Sequence, residues 1–287
     1  MINQQKSIAE EFLQATKAFN EGALQLGFGD LSNYYWYHTV ELPNGLITPG
    51  QYDFRATISS FHFPENMQGM TVLDVGSATG YFAFEFEKRG ARVTSVEIPS
   101  LESLDRFPGQ NTEQLLRKIE KMMKTMTRLD EARTRYSAKD LYFYLLKGPF
   151  EFCQKLLNSR VERCLSTVYD LSDKLAGTRF DLVFMGDILL HTLNPLQALA
   201  AVTPLCDGTL ILSQVIPDAP DGTPVLIYVG GDDLNNDEIS WWLPNKLFLE
   251  QLLKKFGFKS VLTVGTHSGT LKPAGFPFVR SVLHASR

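Results

Sequence analysis

The chain has 287 residues, of which 44% are hydrophobic and 21% charged, which allows one or two globular domains with a sizeable core. Its net charge of −4 gives no electrostatic argument for a large nucleic-acid footprint. Three widely spaced cysteines argue against a disulfide framework or a zinc site. No run approaches the roughly 20 apolar residues that span a bilayer, and the polar N-terminus lacks a signal-peptide core. We therefore expect a cytoplasmic protein with reduced thiols and no bound metal.

The first 65 residues of the chain predict a cap ahead of the main domain. Residues 5–27 place apolar side chains at helical spacing, which indicates an amphipathic helix. An aromatic segment follows at 34–38, and then 41–50, whose Pro-Asn-Gly and Pro-Gly pairs are turn signals. We expect these parts to form a cap segment over residues 1–65, followed by one domain over 66–287.

Strands and helices alternate in the rest of the chain. The predicted strands are 71–75, 92–97, 162–167, 180–185, 208–215, 258–264 and 277–284, and the predicted helices are 80–89, 150–158, 195–204 and 245–256. This alternation predicts an α/β, Rossmann-like fold with a seven-stranded, mostly parallel sheet and helices on both faces. The last two strands are joined by a loop and can pair antiparallel.

The segment 71–80 is the most informative stretch, because it predicts a buried strand, a tight turn and the start of a helix. Gly76 and Gly80 carry no Cβ, so a ligand can approach the backbone closely. Glu97 ends the next strand, where an acid can hold two ribose hydroxyls. Asp74 precedes the first glycine and suits a cationic group better than an anionic pyrophosphate. The pattern indicates a nucleoside cofactor with a cationic end, such as S-adenosylmethionine (SAM).

Two later motifs add to this pattern. Residues 180–191 predict a buried strand that breaks into a turn, and Asn194 then begins a new helix as its N-cap. The stretch 241–245 combines two Trp and a Pro before another helix that ends at Phe-Gly-Phe, 256–258. Together with the glycine turn, these motifs resemble class I SAM-dependent methyltransferases, which implies their fold and cofactor.

The resemblance narrows further in the aromatic segment. Residues 36–42 and 48–53 resemble a bacterial subgroup of tRNA wobble-uridine (5-oxyacetic or methoxyuridine) methyltransferase-like proteins, and the similarity covers roughly 34–100 and 150–265. It is specific for the fold and for a SAM-type cofactor, but it does not specify the substrate.

The tRNA enzyme of this subgroup transfers a carboxymethyl group from carboxy-SAM, and the resemblance implies a Tyr and an Arg that hold the extra carboxylate. Leu190 and Glu238 stand at the corresponding positions here. A Leu side chain cannot donate a hydrogen bond, and a Glu repels a carboxylate. The sequence therefore favours ordinary SAM and methyl transfer.

The resemblance also implies a set of residues around the methionine half of the cofactor. The residues that it places along this half are Asp74, Gly76, Ser77 and Gly80. Met185 and Gly186 are implied to supply backbone near the sulfonium. Tyr52 or Arg55 is implied to pair with the methionine carboxylate.

For the adenosine half, the resemblance implies three side chains. Glu97 binds the ribose hydroxyls, Asp170 faces the adenine amino group, and Tyr169 lies beside the ring. Tyr169 and Asp170 both follow the third predicted strand.

Methyl transfer from a sulfonium is an in-line displacement, so a general base is needed only if the nucleophile must lose a proton. His191 is the first candidate for a catalytic base and His38 the second, although each could instead be a structural histidine. Asp187 is a candidate to orient His191, because residues four apart share a helix face. Aromatic residues near the predicted cleft suit a flat acceptor, and core packing explains them as well.

Residues 102–148 interrupt the alternation with a helix whose apolar face is rich in Met. This insertion could be a packed surface helix, a lid over the substrate or a contact in a homo-oligomer. A second excursion, 217–243, is rich in Asp, Gly and Pro and falls at the carboxyl edge of the sheet.

Several functions remain open. The first is a SAM-dependent methyltransferase that acts on the O, N or S atom of a small molecule. The second is a tRNA wobble-uridine (carboxy)methyltransferase, for which the basic residues of 117–135 are the obvious supply of charge. The third is a catalytically silent SAM-binding scaffold that binds a protein through the Met-rich helix. A dehydrogenase would need a third turn glycine and a nicotinamide-binding half, and the sequence offers neither.

Overall fold

Nine strands are present in the computed structural model, which describes residues 2–129, 135–218, 222–234 and 239–287. They are β1 Thr71–Val75, β2 Arg92–Glu97, β3 Glu162–Leu165, β4 Phe180–Gly186, β5 Cys206–Gln214, β6 Leu226–Tyr228, β7 Trp242–Pro244, β8 Ser260–Leu271 and β9 Phe276–Ser286. Seven of them form one sheet in the order β3-β2-β1-β4-β5-β9-β8. The strands β1 to β5 run parallel, and β9 pairs antiparallel with both β5 and β8. The predicted seven-stranded sheet and its antiparallel end are confirmed.

Helices cover both faces of this sheet. They are α1 Ile2–Gln25, α2 Tyr81–Lys88, α3 Thr112–Met126, α4 Ala138–Tyr142, α5 Gly148–Leu156, α6 Leu171–Lys174, α7 Pro195–Val202 and α8 Lys246–Lys255. Successive strand residues point to opposite faces. In β1, Val72 therefore packs with α1, α2 and α5, whereas Leu73 and Val75 pack with α6, α7 and α8.

The N-terminal segment packs against the sheet and shares its core. Phe19 of α1 meets Trp36 edge-to-face at 5.0 Å, and Phe54 and Phe61 pack on Phe82 of α2. Much of the aromatic segment is thus core packing. The predicted boundary after residue 65 stays a prediction. Residues on both sides of it share one core, whereas domain boundaries usually fall where few contacts cross.

The insertion has a small core of its own. The side chains that form it include Leu115, Ile119, Met123 and Leu141, together with Tyr35 and Leu101. Ala78 of the glycine turn and Ile98, next to β2, pack against this core. The insertion therefore lies over the carboxyl ends of β1 and β2, and most of the Met-rich face is turned inward.

Several local details differ from the sequence-based expectations, among them the longer strand β8, which ends at Leu271 instead of residue 264. The second excursion contains the short antiparallel hairpin β6–β7, which its three-residue strands were too short to reveal. The fifth strand begins at Cys206 rather than Gly208, and Gly208 lies at an irregularity in the pairing of β4 with β5. A Cβ at Gly208 would lie 2.2 Å from the carbonyl oxygen of Asp181, so the close approach of the backbones requires glycine.

Cys153, Cys164 and Cys206 are free thiols. In the part of the chain that the structure describes, no helix has both the length and the apolar character needed to cross a membrane.

Candidate active site

The glycine turn between β1 and α2 adopts a backbone that few other residues tolerate. Gly76 and Gly80 have φ values of 74° and 93°, in the left-handed region. A Cβ at Gly76 would lie 2.0 Å from Cδ1 of Ile188, and one at Gly80 would lie 2.8 Å from the ring of Phe150. Ala78, between them, also has a positive φ of 46°, which is unusual for a residue with a side chain. The turn is therefore held in a strained conformation by its surroundings.

Glu97 lies beside this turn, at the end of β2, and is only 8% exposed. Its carboxylate accepts hydrogen bonds from the backbone N–H of Ala78 at 2.8 Å and of Ile98 at 2.9 Å. Ser77 is also buried, but its hydroxyl bonds to Ser95 and Arg163 beneath the turn rather than facing the cleft. The structure thus brings the predicted ribose acid to the glycine turn.

Asp74 is buried at the end of β1, with 1% of its surface exposed. Its Oδ2 has no hydrogen-bond partner among the described residues. Burial raises the pKa of this carboxyl to about 7, with Arg163 opposing the rise and Glu97 adding to it. The carboxyl accepts one hydrogen bond, from the backbone N–H of Ala83, which leaves Oδ2 unpaired. An unpaired buried oxygen is costly unless a ligand completes its bonding, and a cationic amino group would do so.

A cavity of about 90 Å³ opens at the carboxyl ends of β1 and β4. The residues predicted for the site that line it are Tyr52, Asp74, Gly76, Gly186, His38, Asp187 and His191. The remaining wall is largely aromatic and includes Tyr37, Phe54, Phe82 and Phe184. Sites for whole ligands usually measure about 300–1,000 Å³, so a cofactor requires side chains to move. Ile188, which lies against Gly76 and lines the cavity, is a side chain that would have to move.

His191 is half-buried at the edge of this cavity. Its Nδ1 lies 2.5 Å from the carbonyl oxygen of Ile239. A carbonyl only accepts hydrogen bonds, so Nδ1 carries the proton and Nε2 keeps its lone pair. Burial lowers the pKa of the imidazole below its usual value. The ring is therefore neutral and can accept a proton at Nε2.

Asp187 does not orient His191 as the helical spacing predicted, and the reason is local. Its φ of 51° is left-handed, so no helical turn joins the two residues. The carboxylate instead pairs with Nε of Arg280, its two oxygens lying 2.8 and 2.7 Å away. Burial raises the pKa of Asp187, and Arg280 opposes that rise. Arg280 comes from β9, far along the chain, and the sequence analysis missed it.

Two more histidines line the cavity. His38 is 4% exposed, its Nδ1 has no partner among the described residues, and burial lowers its pKa to about 3. His267 of β8, which the sequence analysis did not consider, stacks on Phe61 at 4.4 Å and bonds through Nε2 to the Ser213 hydroxyl at 2.8 Å. Burial lowers the pKa of His267 to about 4. Both rings are neutral near pH 7.

The two candidates for the methionine carboxylate lie in different places. Tyr52 faces the cavity, and its hydroxyl is hydrogen-bonded to that of Tyr37. Arg55 lines a separate cavity of about 430 Å³ beside α1. Its guanidinium is occupied by Asp53 at 2.8 Å and Glu41 at 2.9 Å. The geometry favours Tyr52.

The predicted adenine-binding residues lie outside the cavity. The hydroxyl of Tyr169 bonds to Asp105 of the insertion and accepts a bond from the N–H of Asn194 at 3.2 Å. Asp170 is exposed and accepts a bond from the Thr167 hydroxyl at 2.5 Å. Met185 is buried in the sheet core, so only its backbone can serve a ligand. No group of three metal-ligating side chains is found among the residues described.

The chain matches a known protein family. The sequence matches the family described as "Methyltransferase domain" over residues 51–263, well over half of the chain. The chain therefore belongs to the methyltransferase-domain family, and the predicted fold and enzyme class are confirmed. The match does not single out the wobble-uridine subgroup. No curated protein sequence matches the chain.

Several solved structures are similar at low sequence identity. The N-terminal domain of EvdMO1, in the presence of SAH and D-fucose, is 15% identical with a TM-score of 0.48, covering 88% of this chain and 91% of that one. Magnesium protoporphyrin IX methyltransferase from Synechocystis PCC 6803, with bound SAM, is 14% identical with a TM-score of 0.45, covering 81% and 76%. The 1,6-didemethyltoxoflavin-N1-methyltransferase of Burkholderia thailandensis is 19% identical with a TM-score of 0.43, covering 77% and 72%.

Proposed function

We propose that this methyltransferase transfers the methyl group of SAM to the O, N or S atom of a small, flat acceptor. The observation that carries the proposal is Asp74, a buried carboxylate with an unpartnered oxygen, placed two residues before Gly76 in a methyltransferase sheet. Glu97 lies at the neighbouring strand end. Asp74 suits the cationic amino group of SAM, and Glu97 suits its ribose hydroxyls.

When bound, SAM supplies a methyl group that its sulfonium already activates. Asp74 would hold the amino group, Glu97 the ribose hydroxyls, and the turn at Gly76 would admit the ligand to the backbone. The aromatic wall excludes water and offers flat faces to an acceptor. His191 would accept the acceptor's proton at Nε2 where the reaction releases one.

Methyl transfer, rather than carboxymethyl transfer, is the reaction that the site favours. Leu190 is a buried apolar side chain, and the second position considered, Glu238, lies outside the described residues. The guanidinium of Arg280, near the cavity, is already neutralised by Asp187. An additional carboxylate would have to displace this ion pair.

A tRNA substrate is the second candidate, and the charges of the insertion do not favour it. Arg117 and Arg135 both pair with Glu113, at 2.7 and 3.0 Å, and Lys124 pairs with Glu120 at 2.8 Å. Cations that are neutralised by neighbouring acids contribute little to phosphate binding.

We assign the insertion the role of a cover over the nucleoside half of the site. The hydroxyl of Tyr142 donates to the carbonyl of Ile98 at 2.8 Å, directly beside Glu97. Met123 is fully buried in the insertion's own core. Because both a homo-oligomer contact and a silent scaffold would need an accessible Met-rich face, this burial argues against both hypotheses. The three free thiols favour the cytoplasm as the enzyme's location.

Calorimetric titration with SAM, SAH, carboxy-SAM and NAD tests the proposal. We expect one molecule of SAM or SAH to bind per chain, with weaker binding of carboxy-SAM and none of NAD. An acceptor screen of planar hydroxyl, amine and thiol compounds then follows. A preference for carboxy-SAM would restore the tRNA function. Binding of SAM without turnover of any acceptor would favour the silent scaffold, and a protein that binds none of the four would contradict the proposal.

A further inference from the structure

Arg163, on β3, is a charged side chain that the proposed reaction does not use. Its side chain is only 16% exposed, and its guanidinium lies over the face of Phe150 at 4.1 Å. Placing a guanidinium in such a site is costly unless its donors are paired. The ring contact alone does not explain why an arginine stands there.

The donors of Arg163 converge on the glycine turn from beneath. Nη1 donates to the hydroxyls of Ser77 at 2.7 Å and Ser95 at 2.8 Å, while Nη2 donates to the carbonyl of Ala78 at 2.9 Å. Nη2 also lies 3.8 Å from the carboxylate of Glu97. One side chain therefore links the turn to the ends of β2 and β3.

Ala78 is held from both sides as a result. Its N–H donates to Glu97 and its carbonyl accepts from Arg163. These two bonds fix the left-handed backbone that an alanine adopts only at a cost. The same bonds fix the carboxylate of Glu97 relative to the turn.

We propose that Arg163 is a positioning residue that pre-forms the nucleoside half of the cofactor site, an inference that rests on the proposed function. It acts through Ala78 and Glu97. A site that is ordered before the ligand arrives saves the ligand the cost of ordering it. Replacing the fork of donors by a single ammonium, which cannot reach all of these acceptors at once, loosens the turn.

The test is calorimetric titration of Arg163→Lys with SAH at a temperature where the variant is fully folded. We expect unchanged stoichiometry and a dissociation constant about 10- to 100-fold higher than that of the wild type. Arg287→Lys is the matched control. Arg287 also donates to carbonyls, those of Cys206 and Thr203, and lies 4.7 Å from the Phe258 ring, but at the opposite edge of the sheet. Its affinity for SAH should stay within twofold of the wild type.

Hydrogen–deuterium exchange of the ligand-free protein gives a second readout. Peptides that cover residues 76–80 should exchange faster in Arg163→Lys, while those from the β8–β9 hairpin should not change. An unchanged dissociation constant, an unchanged exchange rate in the turn, or a loss of stoichiometry at constant affinity would each overturn the inference. A wild-type protein that does not bind SAH would contradict the proposed function itself, and this inference with it.

Discussion

The two halves of the proposed site differ in how fully their polar groups are paired. In the nucleoside half, both oxygens of Glu97 accept backbone bonds, and Arg163 binds three oxygens. In the cavity half, Oδ2 of Asp74 and Nδ1 of both His38 and His267 are buried without partners among the described residues. An unsatisfied buried group costs about 1–3 kcal/mol. The polar groups of the nucleoside half are thus paired before a ligand binds. In the cavity half, the unpaired groups lower the stability of the free protein, and a ligand that pairs with them can offset this loss.

The largest expected effect is on the rate and lies in the cavity half. Replacing His191 by Gln removes the base at Nε2, so we expect kcat to fall by about 10²–10⁴ for an acceptor that loses a proton. SAH affinity should change by less than about threefold, because His191 does not hold the cofactor. The measurement is steady-state kinetics with an acceptor from the screen.

His284→Gln is the matched control for this prediction. The Nε2 of His284 also bonds to a backbone carbonyl, that of Phe61 at 2.9 Å, but the residue does not line the cavity. Its kcat should match that of the wild type. Equal losses in the two variants would mean that His191 is structural.

The next largest effect is expected in the nucleoside half, on both stability and SAH binding. Glu97→Ala leaves the N–H groups of Ala78 and Ile98 without their acceptor and Arg163 without its nearest acid. We expect the free energy of unfolding to fall by about 3–5 kcal/mol and SAH binding to be lost. Urea denaturation and calorimetry measure the two effects.

Glu97→Gln separates shape from charge in this half. It keeps one acceptor oxygen, so its loss of stability should be smaller than that of the alanine variant. Wild-type affinity for SAH in Glu97→Ala would remove this carboxylate from the cofactor site.

A smaller effect, opposite in sign, is expected for stability in the cavity half. Burial raises the pKa of Asp74 from 3.8 to about 7, so its contribution to stability is complete below pH 4 and is lost as the pH rises through 7. Asp74→Asn should therefore stabilise the ligand-free protein at pH 8, by at most about 4 kcal/mol. The gain should vanish near pH 4. Thermal unfolding across this range is the measurement. A destabilised variant at pH 8 would show that the interactions of the Asp74 carboxylate with Ala83 and Arg163 outweigh the cost of burying its charge.

The smallest effect is expected outside both halves. Arg55 was a sequence-based candidate for the methionine carboxylate, but its guanidinium is paired with Asp53 and Glu41 beside another cavity. We expect Arg55→Gln to change SAH affinity by less than about twofold and stability by roughly 1 kcal/mol or less. A tenfold loss of affinity in calorimetry would return Arg55 to the site.

The same contrast explains what could be predicted from the sequence. Short local patterns predict the strand ends near Asp74 and Glu97 and the turn at Gly76. The structure has the strands and the turn at these positions. Arg163 reads in sequence as an ordinary charge on an edge strand, and only the parallel pairing of β2 with β3 brings it under the turn.

The cavity half depends on contacts that no spacing encodes. His267 lines the cavity, and Arg280 pairs with Asp187 beside it. Both come from the β8–β9 hairpin, which extends well beyond its pairing with β5. Asp187 was predicted for the site, but with His191 as its partner instead of Arg280, because its left-handed backbone ends the helical spacing on which the expectation relied. Patterns of period two or 3.6 report faces of regular elements, so they miss residues that irregular backbone turns toward a site.

The most direct test compares adenosine with SAH as ligands for the wild type and for Asp74→Asn. Adenosine has only the nucleoside part, whereas SAH also carries the amino group that Asp74 would hold. We expect the variant to bind adenosine as the wild type does and to bind SAH at least tenfold more weakly. Equal losses of affinity for both ligands, or no loss of affinity for SAH, would contradict the division of the site. The nucleoside half would then not be independent of Asp74, or the cavity half would not bind the cationic end of the cofactor.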